Sequence, residues 1–256
     1  IGAILPVTHS VPTLTGNVIS MVAAGNAIVF NPHPGGAKSA VMATRAYNQA
    51  IERELGIDNL ICTIEEPTIE TFEKICKNEH IALMAITGGP AVVDAAMKSG
   101  KRSVCAGPGN PVVVVDDSAN LDKAAINIIA GAAFDNNLLC IGEKSVFVVD
   151  SVFEPFMQAM ERAGATRLDA AQVDKLTTVA FDISTGAGGC AQAALNRDII
   201  GVDAAILAGH AGINSAGKTD LVFGETDADH PFVQKEQMMP MLPIVRVPDF
   251  KTAVAL

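Results

Sequence analysis

The residue best placed for covalent chemistry is Cys140, which lies in the polar, turn-rich segment from Asp135 to Lys144. Two asparagines precede the segment's central residues, and a thiol in such a loop can be exposed to a substrate. Lys144 is near enough in sequence to favour the thiolate, which is the nucleophilic form. Most cysteines are inert packing residues, so composition alone leaves two roles open for Cys140, a nucleophile or a packing residue. Core packing is expected for the other four cysteines, which lie in apolar or periodic runs: Cys62, Cys76, Cys105 and Cys190.

A second candidate is the turn Thr87-Gly88-Gly89-Pro90, between an apolar strand pattern and a helical pattern that proline opens. Backbone N–H groups and the positive end of the helix dipole can hold a phosphate or pyrophosphate at such a place. A plain strand-to-helix turn explains the same residues equally well. The fingerprint Gly-x-Gly-x-x-Gly occurs nowhere in the chain, so an ordinary Rossmann assignment is not supported.

The histidines and cysteines show no metal-ligand spacing, and there is no Cys-x-x-Cys pair, so we expect no metal site. His9 and His33 each follow a predicted strand, where ligand-binding loops lie in open α/β sheets. Each could equally be a turn histidine that bonds to the backbone. His80 ends a charged helix and is expected to be solvated.

The elements that must position these residues alternate regularly over the first hundred positions. Apolar strands separated by helical crossovers predict a parallel sheet with helices on both faces, which is a doubly wound α/β domain. The predicted strands are Ala3 to Val7, Ala27 to Phe30, Leu60 to Thr63, Ala82 to Ile86 and Arg102 to Cys105. The predicted helices are Leu14 to Ala23, Ala37 to Leu55, Ile69 to Lys77 and Pro90 to Ser99.

A second layout begins with the buried strand Val112 to Val115. A helix capped by Asn120 follows from about Leu121, and the strand Ser145 to Val149 comes after the Cys140 segment. Ser151 and Glu154 predict a capping box for the next helix. Between Gly186 and His230 the periodicity fades, and the last predicted helix covers Thr252 to Leu256.

Composition excludes several classes of protein. Of the 256 residues, 49% are hydrophobic and 18% are charged, which is typical of a core-rich fold and not of a disordered chain. The net charge of −10 disfavours nucleic acid and anionic membranes as partners. No apolar run approaches the ~20 residues of a membrane span. Five widely spaced cysteines indicate free thiols in a reducing compartment. Because the chain starts inside a strand pattern and stops inside a helical one, we expect a fragment of a longer protein.

Four stretches together carry a resemblance to one family. They are Pro6-Val-Thr8-His-Ser-Val-Pro12, Thr87-Gly88-Gly89, Asn136-Asn-Leu-Leu-Cys140-Ile-Gly-Glu-Lys144 and Glu236-Gln-Met-Met-Pro240. In order and spacing they resemble the aldehyde dehydrogenase superfamily and, within it, the CoA-acylating acetaldehyde and propionaldehyde dehydrogenases. The last stretch is similar to that superfamily's Glu-x-Phe-Gly-Pro motif. The resemblance covers essentially the whole chain.

The resemblance implies roles for individual residues. Cys140 would be the nucleophile, and Glu236 would contact the nicotinamide-side ribose of NAD. The turn of Thr87, Gly88 and Gly89 would lie beside the dinucleotide. Thr8 stands where hydrolytic members carry an oxyanion-hole asparagine, and it would be a shorter donor.

Two further departures from the hydrolytic members bear on the reaction. The stretch Ala106-Gly-Pro-Gly-Asn110 replaces the one in which those enzymes carry the glutamate that activates water, so the general base is missing. Asn31 and Pro34 replace the lysine and glutamate that hold the adenosine ribose. We therefore expect the cofactor to be held differently at this end, with Asn31 and His33 as the candidate contacts.

The implied fold is aldehyde dehydrogenase-like: a doubly wound parallel-sheet cofactor domain, residues 1–108, followed by an α/β catalytic domain, residues 109–256. The implied activity is oxidation of a short aliphatic aldehyde by NAD to a thioester on Cys140, which coenzyme A then accepts. One alternative is a Cys-His acyltransferase that uses CoA without redox chemistry. Another is a catalytically inert nucleotide-binding scaffold.

The resemblance also implies a setting. It predicts a homo-oligomer in the cytoplasm, either free or inside a bacterial microcompartment. Contact with the compartment's shell would then be made through a segment outside the given residues.

Overall fold

The computed structural model describes residues 1–185, 191–214 and 219–256. The chain divides into two compact units, Ile1–Pro108 and Gly109–Leu256. Each unit contains its own parallel sheet of five strands. The assignment of cofactor binding to the first unit and catalysis to the second stays a prediction. In the described part of the chain, no helix is both long and apolar enough to cross a membrane.

The first unit has the strand order β3-β2-β1-β4-β5, with every neighbouring pair parallel. Successive strands are added on one side of β1 up to β3 and on its other side from β4 onwards. In open α/β sheets ligands bind at such a switch point, beyond the carboxyl ends of the strands. The strands are β1 Gly2–Leu5, β2 Ile28–Pro32, β3 Ile61–Thr63, β4 Met84–Thr87 and β5 Ser103–Ala106. The helices are α1 Ser10–Ala23, α2 Ala37–Leu55, α3 Ile69–Lys77 and α4 Pro90–Lys98.

Helices cover both faces of this sheet, as the doubly wound prediction requires. Leu14 and Val18 of α1 pack with Phe30 in one buried cluster. On the opposite face, Ile75 of α3 and Ala96 of α4 pack in a second cluster. The limits of α2 and α3 are those predicted from the sequence.

The second unit has the strand order β6-β7-β12-β11-β8, again parallel throughout, and a separate antiparallel pair of β9 and β10. The strands are β6 Val112–Val115, β7 Ser145–Val149, β8 Thr166–Leu168, β9 Phe181–Thr185, β10 Ala191–Leu195, β11 Val222–Thr226 and β12 Met241–Val247. The helices are α5 Leu121–Ala132, α6 Phe153–Arg162, α7 Ala170–Ala180, α8 Ala204–Ala211, α9 Pro231–Gln234 and α10 Phe250–Ala255.

The capping box predicted from Ser151 and Glu154 is wrong. Ser151 lies in the 3-10 turn Asp150–Val152, and α6 begins at Phe153 without a side-chain cap. The Glu154 carboxylate instead accepts a hydrogen bond from Arg167 at 2.7 Å, an ion pair formed across the fold. A capping box does occur one helix later, at the start of α7.

The interval from Gly186 to His230, in which no elements were predicted, contains β10, α8 and β11. The sequence of α8 is Ala-Ala-Ile-Leu-Ala-Gly-His-Ala, which offers almost no contrast between apolar and polar faces. A helix of this kind leaves no 3.6-residue period to detect. Residues 186–190 and 215–218 lie outside the described residues.

The predictions for the other cysteines have mixed outcomes. Cys76 is buried, as predicted, and Cys105 is partly buried. Cys62 is exposed, so core packing is wrong for this residue. It lies on β3, an edge strand of the first sheet, and its side chain is on the solvent side. Cys190 lies outside the described residues.

Candidate active site

Cys140 lies at the tip of a tight turn in the second unit. The N–H of Gly142 donates to the carbonyl of Leu139 at 3.2 Å, which places Cys140 and Ile141 at the two central positions. Both central side chains are exposed, so the Cys140 thiol is accessible to a substrate.

The approach to this turn has an unusual backbone. Asp135, Asn136 and Asn137 have φ angles of 50°, 51° and 58°, a left-handed conformation that Asn and Asp tolerate better than most residues. Asn136 Nδ2 donates to the carbonyl of Gly201 and to Asp203 Oδ1, each at 2.9 Å. These bonds tie the segment to residues more than sixty positions away, and the turn therefore has a fixed base.

Gly109 approaches the nucleophile turn closely. A Cβ atom at this position would lie 2.2 Å from the carbonyl oxygen of Cys140, which no side chain can do without displacing the backbone. Two hydrogen bonds hold the segment that contains Gly109 in place. Lys144 N donates to the carbonyl of Pro111 at 2.9 Å, and Asn110 Nδ2 donates to the carbonyl of Val233 at 2.7 Å. Glycine is thus the residue this contact requires.

Lys144 is completely buried below the turn. Its ammonium Nζ donates to both oxygens of Asn137, the backbone carbonyl and Oδ1, the latter at 2.6 Å. Burial lowers the pKa of Lys144 to about 8, and the charges of Glu236 and Cys140 oppose that shift. The lysine that sequence analysis placed near the thiol is therefore bonded to Asn137.

Glu236 belongs to the same group of residues. The carboxylate is half-buried, and burial raises its pKa, whereas the charge of Lys144 and a hydrogen bond from the Gly109 N–H lower it. The next residue, Gln237, is fully buried, and its Nε2 donates to the carbonyls of Lys144 at 2.8 Å and Met241 at 3.0 Å. Cys140, Gly109, Lys144 and Glu236 thus lie together in the second unit.

The predicted oxyanion donor Thr8 and the predicted cofactor turn lie at the carboxyl edge of the sheet of the first unit. Thr8 follows β1, Thr87 ends β4, and Gly88 and Gly89 connect β4 to α4. Gly89 is exposed, and a Cβ atom there would meet no protein atom within 4 Å, which leaves room for a ligand. Pro90 occupies the first turn of α4, as predicted.

Asn31 and His33 have partners within the protein. Asn31 is buried at the end of β2, and its Oδ1 accepts a hydrogen bond from Thr71 Oγ1 at 2.7 Å. His33 Nδ1 accepts from the Gly35 N–H at 3.0 Å, so His33 is a turn histidine bonded to the backbone, one of the two alternatives stated for it. Cofactor contacts by either residue stay a prediction.

The other two histidines of the first unit, His9 and His80, have ordinary environments. His9 caps the start of α1 through its backbone position, and His80 is exposed after α3, as predicted. Among the described residues, no group of three or more His, Cys, Asp or Glu side chains could hold a metal ion.

Comparison with known proteins decides the family. The family model described as "Aldehyde dehydrogenase family" matches residues 1–256. The chain belongs to the aldehyde dehydrogenase family. Its fold is accordingly the α/β architecture of that family, as the sequence predicted.

Three relatives of this chain are informative. "Acetaldehyde dehydrogenase (acetylating) EutE" of Salmonella typhimurium is 43% identical over 100% of this chain and 54% of its own length. The structure of a propionaldehyde dehydrogenase from the Clostridium phytofermentans fucose utilisation bacterial microcompartment has a TM-score of 0.88 and 37% identity, over 100% of this chain and 57% of that one. Rhodopseudomonas palustris propionaldehyde dehydrogenase with bound propionyl-CoA has a TM-score of 0.86 and 36% identity, over 99% and 55%. The chain spans about half the length of these relatives.

Three residues of the candidate site were not predicted from the sequence. They are Gly109, Asn137 and Gln237, and each acts through contacts with the nucleophile turn or with Lys144. The pair Asn136-Asn137 offered a signal, because adjacent asparagines favour left-handed backbone. Nothing near Gln237 in the sequence indicates its bond to Lys144, which lies 93 positions away.

Proposed function

We propose that this protein is a CoA-acylating aldehyde dehydrogenase, which oxidises acetaldehyde or propionaldehyde with NAD and transfers the acyl group to coenzyme A. The observation that carries the proposal is the exposed thiol of Cys140, which lies on a tight turn. The charge of Lys144 interacts with both this thiol and the Glu236 carboxylate. The printed names of the relatives, acetylating and propionaldehyde dehydrogenase, support the substrate class.

The residues perform the reaction as follows. The Cys140 thiolate attacks the aldehyde carbon and forms a C–S bond, and the carbonyl oxygen becomes an alkoxide. Thr8 would donate a hydrogen bond to that oxygen. NAD, when bound, would supply the hydride acceptor for this carbon. Loss of the hydride would leave a thioester on Cys140. The thiol of CoA then displaces Cys140 and gives acyl-CoA, and its proton leaves to solvent.

The residues present fit a dinucleotide. The turn of Thr87, Gly88 and Gly89 lies at the start of α4 with open space at Gly89, and helix N-termini favour phosphate groups. Glu236 would hold the nicotinamide-side ribose through its carboxylate. Ala106 ends β5 in the stretch where, by the resemblance, hydrolytic members carry the general base that activates water. Because alanine cannot act as a base, we infer that CoA and not water accepts the acyl group.

The acyltransferase alternative receives no support from the histidines of the second unit. His230 Nδ1 accepts from the Phe232 N–H at 3.2 Å, and Nε2 faces Thr177 Oγ1 at 3.4 Å. His210 lies in the last turn of α8. A Cys-His pair would need an imidazole bonded to the Cys140 thiol.

The proposal extends to the setting of the enzyme. We place it in the cytoplasm as a homo-oligomer, inside a bacterial microcompartment, because one structural relative comes from such a compartment. Shell proteins of that compartment are then its proposed protein partners.

The proposed function is tested by supplying acetaldehyde or propionaldehyde with NAD, with and without CoA. We expect NADH formation at a steady rate only with CoA, together with acyl-CoA identified by its mass. Acyl-CoA formed from an acyl donor without any change in nicotinamide absorbance would favour the acyltransferase alternative. NAD binding without acylation of Cys140 would favour the inert scaffold.

Substitution of Gly89 by valine tests the cofactor turn. Its φ of −66° suits any residue and the added side chain has room, so Gly89→Val should fold normally. The new methyl groups would occupy the space next to the helix end, so the KM for NAD should rise about tenfold or more. The KM for the aldehyde should stay within about twofold.

Gly209→Val is the matched control, because Gly209 also has no atom within 4 Å of a Cβ and lies on α8 of the other unit. This variant should keep the KM for NAD. An unchanged KM for NAD in Gly89→Val would place the cofactor elsewhere.

Substitution of Glu236 by glutamine tests the ribose contact. Loss of the carboxylate should slow hydride transfer by about 10- to 100-fold, because a small displacement of the nicotinamide is costly, with NAD affinity changed less. Single-turnover NADH formation measures the hydride step, and equilibrium titration measures the affinity. Glu52→Gln, on the exposed side of α2, is the control and should leave both unchanged.

The pH dependence of the same step follows from burial. Since burial raises the pKa of Glu236, its carboxylate protonates at a higher pH than an ordinary glutamate. Hydride transfer should therefore decline earlier on acidification than in Glu236→Gln, which lacks this titration. Identical acid limbs in the two proteins would contradict the assigned contact.

A further inference from the structure

The reaction described above gives no task to Lys144. It is nevertheless the only charged side chain that is buried in the described part of the chain, in residues 1–185, 191–214 and 219–256. Burying an ammonium group is costly unless it is hydrogen-bonded and its charge is compensated. The contacts of Lys144 show what compensates the free-energy cost of burying its ammonium group.

The contacts of Lys144 close the loop that carries the nucleophile. Its Nζ donates to the backbone carbonyl and to Oδ1 of Asn137, so one ammonium group joins residue 137 to residue 144 across Cys140. Asn137 Nδ2 adds a third bond between the same two ends, to the carbonyl of Glu143 at 3.0 Å. The backbone of Asn137 is left-handed, with φ of 58°.

The charge of Lys144 has two titratable neighbours. The Glu236 carboxylate and the Cys140 thiol both favour the charged form of Lys144. Glu143, the adjacent carboxylate, is directed elsewhere, because its Oε2 lies against the backbone of Gly131 in α5. The amide of Gln237, packed from the β12 side, donates to the carbonyl of Lys144. The positive charge of Lys144 therefore interacts with both Cys140, the proposed nucleophile, and Glu236, the proposed nicotinamide-ribose contact.

We propose that Lys144 is a positioning residue for the nucleophile, which acts by closing the Cys140 loop through Asn137 and by placing a buried positive charge near the thiolate. This inference rests on the proposed function for its purpose, but its test does not need aldehyde, NAD or CoA. A core lysine that only supports packing would share the burial. It would not alter how the reactivity of Cys140 depends on pH.

The test is alkylation of Cys140 by iodoacetamide between pH 6 and pH 10, followed by mass spectrometry of each cysteine peptide. Lys144→Met keeps the length of the side chain and removes its charge and its donors. At pH 7 the wild-type ammonium is largely protonated, since its pKa is about 8. We expect the rate of Cys140 alkylation at pH 7 to fall about tenfold, because the loop loses both bonds to Asn137 and the positive charge near the thiol.

The chain supplies internal controls. Exposed Cys62 reports the intrinsic rate of the reagent, and buried Cys76 reports the integrity of the fold. Lys123→Met, an exposed lysine on α5, is the matched control and should leave the Cys140 profile unchanged. A Lys144→Met protein that protects Cys76 and keeps the wild-type Cys140 profile would overturn the proposal.

If Lys144→Met exposes Cys76, a second variant decides the matter. Asn137→Gly retains the left-handed backbone, because glycine adopts it freely, and retains the lysine. It removes the side-chain amide, and with it the Oδ1 acceptor of Lys144 and the Nδ2 donor to the Glu143 carbonyl. With one acceptor fewer, the buried ammonium deprotonates more readily, so Cys140 alkylation at pH 8 should fall about threefold. An unchanged rate in this variant, with Cys76 protected, would overturn the proposal.

Failure of this inference and failure of the proposed function give different results. An unchanged alkylation profile with normal CoA-dependent turnover rejects the role of Lys144 alone. A shifted profile in a protein that forms no acyl-CoA supports the role of Lys144 and rejects the proposed reaction.

Discussion

Cys140→Ala should lose aldehyde oxidation by at least about four orders of magnitude, because the thioester forms on the Cys140 sulfur. The protein should keep its fold, since Cys140 is exposed at the tip of its turn and contributes to none of the buried clusters. Substitutions at such positions change the free energy of unfolding by about 0.5 kcal/mol or less. NADH formation measures the first effect, and thermal unfolding measures the second.

Cys62→Ala provides the matched control for this result. Cys62 is also exposed but lies on the edge strand β3 of the first unit, so its removal should leave turnover intact. Mass spectrometry after incubation with aldehyde and NAD should find the acyl adduct on the Cys140 peptide alone. Appreciable turnover by Cys140→Ala would reject Cys140 as the nucleophile.

Without CoA, the enzyme should release one equivalent of NADH per active site in a burst and then nearly stop. Hydrolysis of the thioester requires a deprotonated, oriented water, and general-base help for that step is typically worth about 10²–10⁴-fold. Ala106 supplies no such base, so the thioester on Cys140 should persist until CoA is added. Rapid mixing with detection of NADH measures the burst, and addition of CoA should restore steady turnover.

Ala106→Glu tests the reason for this arrest. Ala106 is exposed at the end of β5, where the longer side chain has access to solvent. The variant should gain a slow release of free carboxylic acid without CoA, whereas Ala106→Gln, of similar size but without a base, should not. Release of free acid at the full rate by the unmodified enzyme would show that another base serves Cys140.

Local sequence signals predicted much of the fold. The limits of α2 and α3 agree with the prediction because each helix carries its own end signal: Gly56 with φ of 66° ends α2, and Thr68 caps α3. The run Val112–Val115 is likewise a strand with the predicted limits. These signals act over three or four residues, so they are present in the sequence whatever the rest of the chain does.

Where local and distant contacts compete, the sequence misled. Ser151 and Glu154 have the spacing of a capping box, but an ion pair with Arg167 takes the glutamate. Cys62 lies in an apolar run, but its strand is at the edge of the sheet. Strand order depends on elements far away in the chain, and the ion pair joins residues of two different elements, 13 positions apart. A pattern of three or four residues records neither.

The candidate site divides in the same way. Sequence patterns predicted the fold class and the loop position of Cys140, and the resemblance supplied the residues proposed for the cofactor. Three contacts came from the folded chain alone: Gly109 meets the Cys140 carbonyl, Lys144 is buried against Asn137, and Gln237 bonds to Lys144 across 93 positions. Turn and helix patterns express backbone preferences of neighbouring residues, whereas the burial and charge of a side chain are set by whichever distant segments pack around it.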